Sequence, residues 1–197
     1  MGQDINPELF IFVRTIIGMV LGLSIARLLA GLARFVQHPS RDKVYWVHIG
    51  WVAHVLLTVV SFWWWEIELV RITDWNFAIY GFLVFYASVF FFLGALLFPD
   101  ELRDYAGFKD YFYSRRKWFF GILAFTYAID FIDTAIKGQD YFDWLGSEYP
   151  IRNFVMIAAC LVAIVVRSEA FHKALVGLVL AGHAVWIWWQ YDTPYIG

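Results

Sequence analysis

Residues 75–98 read WNFAIYGFLVFYASVFFFLGALLF, a run without one charged side chain. A helix needs about 20 apolar residues to cross the hydrocarbon core of a bilayer, because it rises about 1.5 Å per residue and must satisfy its backbone groups internally. This run is long enough and predicts a transmembrane helix. Segments 8–36, 44–66, 117–137, 151–167 and 171–190 have the same character, which makes six. The breaks fall where local chemistry puts them. His38-Pro39-Ser40 ends the first segment and residues 71–74 separate the second from the third. Pro99 stops the third, because proline cannot continue a helix, and Asp100 can cap the next helix. Gly138 and Pro150 bracket the fourth loop. The fifth segment is short and only Arg167-Ser168-Glu169-Ala170 joins it to the sixth, so this pair reads as two spans or as a re-entrant hairpin.

Composition agrees with the segments. The chain has 197 residues, 61% hydrophobic and 21% aromatic, more apolar surface than a soluble core of this size can hide. A formal net charge of -2, with no glycine-rich phosphate loop and no basic stripe, argues against a nucleic-acid partner. Cys160 is the single cysteine, which rules out an intrachain disulfide and a multi-cysteine metal centre. Residues 1–8 carry Asp4 and Glu8 but no Lys or Arg, the wrong charge for a signal peptide, so the first segment is expected to be retained. The expected fold class is all-α: one polytopic bundle of six transmembrane helices over residues 1–197. In general look the chain resembles small, aromatic-rich multi-pass proteins of the bacterial inner membrane, and no motif attaches it to a family.

Orientation follows from cationic residues near the ends of the spans. Arg34, Arg41 and Lys43, then Arg103, Lys109, Arg115, Arg116 and Lys117, then Arg167 and Lys173 mark one side; Arg71, Lys137 and Arg152 mark the other. Ten against three places both termini outside and loops one, three and five in the cytoplasm. Trp63, Trp64, Trp65, Trp75, Trp186, Trp188 and Trp189 then sit at outer ends, with Trp46 and Trp118 at inner ones, as amphipathic rings at the headgroup level should. In the third loop Tyr105, Phe108 and Phe112 recur at helical spacing beside basic residues. They predict a cytoplasmic interfacial helix between the third and fourth spans.

Charges inside the spans nominate the functional residues, since an ion in the bilayer core costs at least roughly 2.5 to 3.5 kcal/mol. Arg14 lies six residues inside the outer start of the first span and Asp130 seven residues before the outer end of the fourth, each roughly 9 to 10 Å deep. His183 on the sixth span reaches the same level, and Asp133 is a helix neighbour of Asp130 one turn further out. Arg14, Asp130, Asp133 and His183 are therefore expected to meet as a polar cluster. It serves either as a proton relay or ligand site or as a structural ion pair. Gly18 and Gly22, four apart on the first span, allow close helix approach within the bundle or between protomers. Arg27 can snorkel to the interface or reach Asp100 or Asp104, and snorkelling is the reading taken. His54 near mid-membrane could join His183 in ligating a haem, the one cofactor considered; otherwise no cofactor and no metal is expected. Glu66, at the outer end of the second span, is a further candidate.

No Gly-x-Ser-x-Gly, Walker or Cys-His pattern is present, so the sequence points away from an enzyme. The expected function is a small oligomeric channel or transporter for protons, ions or a small polar solute. The alternatives are an accessory or scaffold subunit of a larger membrane complex and a haem-binding redox protein. The expected partners are the lipid bilayer and either further copies of the chain or another membrane protein.

Overall fold

The computed structural model describes residues 7–37 and 44–191. The His38-Pro39-Ser40 break, the cations Arg41 and Lys43, and Asp4 lie outside these residues. Among the described residues all regular structure is helical: α1 (Pro7–Gln37), α2 (Trp46–Trp65) running into a 3₁₀ turn (Glu66–Arg71), α3 (Phe77–Leu97), α4 (Phe108–Lys137), a short α5 (Gln139–Leu145), α6 (Glu148–Val165) and α7 (Glu169–Tyr191). Six of them are long and apolar enough to cross a membrane, α6 and α7 included, which favours two spans over a re-entrant hairpin.

Local chemistry explains the boundaries. Asn76 Oδ1 accepts from Ile79 N at 3.0 Å and caps α3. Two glycines with φ of +139° and +106°, Gly107 and Gly138, bound α4, at angles that a side chain would strain. α4 differs from the sequence reading. Its 30 residues begin at Phe108, so residues 108–117 form its first turns and no separate interfacial helix stands before it; Tyr105 lies in the turn that precedes it. Lys109, Asp110, Arg115 and Lys117 interrupt the apolar run there, yet a helix of about 45 Å extends beyond the hydrocarbon core and carries such charges in water.

We call the end with the 3₁₀ turn and α5 the upper end, and the end with Phe98 and the α6–α7 turn the lower end. α3 packs between α1 and α4, α6 packs along α4, and α7 along α2. α6 and α7 barely meet beyond the turn that joins them. The lower end is tied by cations that donate to carbonyls at helix ends. Arg27 Nη2 reaches Phe98 O and Asp100 Oδ1, each at 2.6 Å, and Arg34 Nη1 reaches Pro99 O at 3.0 Å. Arg116 Nη2 donates to Ile164 O at 3.0 Å and His172 Nε2 to Val166 O at 2.9 Å, which fixes the turn between α6 and α7. Above these ties the lower half is a packed aromatic core. Trp51, Phe119 and Phe120 contact one another edge to face, and His172 stacks on Phe120. Trp51 and Phe120 are fully buried.

Candidate functional site: a cavity beside a buried charge network

The upper half is hollow. A cavity of about 650 Å³ lies between α2, α4, α6 and α7, with Tyr86 of α3 on one wall and Tyr141 and Leu145 of α5 above. Its floor is a chain of three polar side chains at mid-depth. His54 Nε2 lies 3.1 Å from Tyr127 Oη, and His54 Nδ1 lies 3.2 Å from His183 Nδ1. Whichever imidazole donates to the other, His54 and its two partners form one continuous hydrogen-bonded row.

The α4 wall carries two carboxylates on one helix face. Asp130 Oδ1 accepts from Tyr86 Oη at 3.0 Å and Oδ2 from Asn153 Nδ2 at 2.8 Å, with Arg152 Nη2 at 4.0 Å. Asp133 Oδ2 accepts from Lys137 Nζ at 2.6 Å, and the same ammonium donates to Glu66 Oε1 at 2.7 Å. The side chains of Glu66, Asp133 and Lys137 are all nearly inaccessible, so this is a buried triad with two carboxylates on one cation. Glu66 Oε2 and Asp133 Oδ1 have no hydrogen-bond partner among the described residues. Tyr149 Oη donates to Asp130 O at 3.0 Å and lies 2.7 Å from Thr134 Oγ1, which pins α6 to α4 beside the carboxylates. Burial holds the Tyr141 phenol well above its ordinary range, so it presents a neutral ring to the Lys137 ammonium 5.6 Å away.

One side chain bridges α6 and α7. The Arg152 guanidinium lies 4.0 Å from the centroid of the Trp186 ring, close enough for a strong cation–π contact, while its Nε and Nη2 donate to Asn153 Oδ1. The cavity thus places Asp130, Asp133 and Glu148 beside Lys137 and Arg152, with Glu66 behind Lys137. Chemically it can hold and pass protons, bind a cation or hydrogen-bond a solute that presents donors.

Asp130, Asp133, His183 and His54 all line the cavity, and Glu66 joins through Lys137. Arg14 does not. Its guanidinium lies 5.9 Å and 5.5 Å from the ring centroids of Phe10 and Trp63, and it makes no ion pair among the described residues. Equal depth misled because α3 stands between α1 and α4, and it is Tyr86 of α3 that meets Asp130. Arg27 likewise departs from the snorkelling reading, since Asp100 and the orphaned Phe98 carbonyl both lie within its reach. A Cβ at Gly18 would stand 3.2 Å from Trp63 Nε1, so Gly18 makes room for an indole rather than for a helix backbone, and Gly22 faces open space. The close α1–α3 approach occurs at Gly94, over Leu28 and Ser24. His54 and His183 do not fit a haem clasped between them, because their Nδ1 atoms bond each other directly and leave no slot for a macrocycle.

Sequence reasoning missed Lys137, Arg152, Asn153 and the tyrosines. Lys137 carried a usable signal, an i,i+4 spacing from Asp133. The tyrosines carried none. No family model, no curated protein and no solved structure matches the chain.

Proposed function

We propose that the protein is a proton-linked carrier of a small solute across the membrane, with Asp130 and Asp133 as proton- and solute-binding carboxylates and His54 and His183 as the floor of the site. The observation that carries this reading is a cavity walled by ionisable groups in the upper half of the bundle, above a densely packed lower half. The row of His54, Tyr127 and His183 meets Trp51, whose ring centroid lies 5.6 Å from that of His54, and below it Phe119 and Phe120 pack edge to face on Trp51, with His48 and His172 buried among the rings of the lower half. A site confined to one half of the bundle above a densely packed other half fits one state of a carrier, whereas an open channel needs a continuous path. The cavity lies within one protomer, so a site does not require a ring of copies. With the lysine and arginine bias setting the orientation, the upper end is the outer one and the cavity lies in the outer half of the bilayer.

Flux in proteoliposomes tests the reading. Wild-type protein is expected to move protons under an imposed pH gradient or membrane potential. Asp130→Asn, checked for wild-type mobility in size-exclusion chromatography, is expected to lower that flux by about tenfold or more, since loss of one transition-state or binding contact to a charge is worth about 1.5 to 3 kcal/mol. A folded wild-type protein with no flux under pH, salt or voltage gradients, with a panel of small solutes that includes organic amines supplied on either side, would remove the carrier reading in favour of an accessory subunit.

A further inference from the structure

We propose that the cavity takes a cationic amphiphile, a protonated long-chain amine or similar lipophilic ammonium, which enters sideways from the bilayer between α6 and α7. The inference rests on the reading of this cavity as the solute site and names the class of solute. Three independent features lead to it.

The first is the route. α6 leans on α4 and α7 on α2, and between their shared turn and the Arg152–Trp186 contact near the upper end the two helices separate. Val155, Leu178 and Val185 line the cavity yet are 59%, 72% and 65% exposed, so the cavity reaches the outer surface of the bundle between these helices. In a membrane that surface faces hydrocarbon. The buried Tyr141 and Leu145 of α5 cover the cavity from above, which leaves the side as the wider approach.

The second is charge. Asp133 is 3% exposed, lines the cavity and has one carboxylate oxygen without a partner. Asp130, Asp133 and Glu148 are the acidic side chains of the lining, and the Asp133 oxygen without a partner can accept a hydrogen bond. An ammonium supplies three donors to such acceptors; an anion supplies none. Tyr86, Tyr149 and Trp186 turn aromatic surface to the same space, a lining that favours a cation over a neutral polar group.

The third is the remainder of the lining. Thr58 and Ser61 of α2, Glu148 and Arg152 of α6 and His183 of α7 also line the cavity, but the flank that faces the gap between α6 and α7 is Met156, Leu175, Leu178, Val179 and Val185, apolar side chains that suit an alkyl chain. The head then sits near the upper end of α4 and the chain extends between α6 and α7 into the bilayer, the posture such a molecule already has in a lipid leaflet.

Trp186 and Trp189 line the cavity and report on it. Protein in lipid nanodiscs is titrated with a decylamine brominated on its chain, and tryptophan quenching is compared with that by the brominated alcohol and the brominated sulfate of equal length. All three partition into lipid and quench the outer tryptophans in proportion to their concentration. The amine alone is expected to add a saturable component. Asp133→Asn is expected to weaken that component about tenfold, the value of one charge-assisted hydrogen bond. Gly182→Phe changes no charge, adds a ring where Gly182 lines the cavity and faces open space, and is expected to abolish the component even if Asp133→Asn fails to fold. Superimposable curves for amine and alcohol, or a saturable component untouched by both variants, would overturn the proposal. Saturable amine binding in protein that carries no flux upholds the ligand class and removes the carrier reading; flux without amine selectivity does the reverse.

Discussion

Lys137 is the residue on which the upper half turns. Its ammonium is shared by Glu66 from the end of α2 and Asp133 from its own helix, and it has almost no contact with solvent. Removing it leaves two carboxylates facing each other in apolar surroundings. Lys137→Met is therefore expected to destabilise the fold by about 3 to 5 kcal/mol, the usual cost of uncovering a buried charge. Glu66→Gln should cost less, because Lys137 keeps Asp133 and the amide oxygen can still accept. Reversible unfolding in mixed detergent micelles measures both; equal stability of Lys137→Met and wild type would show that the triad does not hold α2 to α4. The charged and titratable members of the site were legible in the sequence for the same reason that they matter: Asp130, Asp133, His54 and His183 interrupt apolar runs, where such groups are costly. Lys137 and Arg152 stand at segment ends and read as ordinary boundary charges. Tyr86, Tyr127 and Tyr149 belong to a residue type that lines membrane helices without function, so nothing in the chain's pattern singled them out.

At the scale of helices, apolar run length made the spans readable, and the same criterion hid the start of α4. Neighbour order was not readable at all. Depth along a helix follows from counting residues, but which helix stands beside which depends on side-chain shape around the circumference, and that is how Arg14 and Asp130 came to be paired across an intervening α3. Shape can be tested at one contact. α7 is held to the bundle through α2, and at Gly50 of α2 a Cβ would stand 2.6 Å from Val176 Cγ2 of α7. Gly50→Ala is expected to cost about 1 to 3 kcal/mol through overpacking and to loosen α7. Gly22→Ala meets nothing within 4 Å and, since alanine is the better helix former by about 1 kcal/mol, should match or exceed wild-type stability in detergent. A loss of stability at Gly22 instead would place a second protomer against that face of α1, the contact a pair of small residues four apart can make.

Across the whole molecule the two halves differ in kind. The lower half is dense aromatic packing with its helix ends tied by Arg27, Arg34, Arg116 and His172; the upper half is a cavity roofed by α5 and walled by α6, which Tyr149 and Asn153 pin to α4, and by α7, which packs mainly on α2. On the carrier reading proposed above, the wall suited to rearrangement is α7, which packs mainly on α2, while α6 and the carboxylates of α4 form one unit. Which solution the cavity faces depends on orientation, and orientation rests on where the cations lie. It can be measured without background, because Cys160 is the only cysteine and is buried within α6. Asp74 lies in the upper loop after the 3₁₀ turn and Asp104 in the lower loop before α4, both exposed. With a membrane-impermeant maleimide, Asp74→Cys is expected to label in intact cells and Asp104→Cys only after permeabilisation. The opposite pattern would place the cavity in the cytoplasmic half of the bilayer and reverse the side from which a pH gradient reaches its carboxylates.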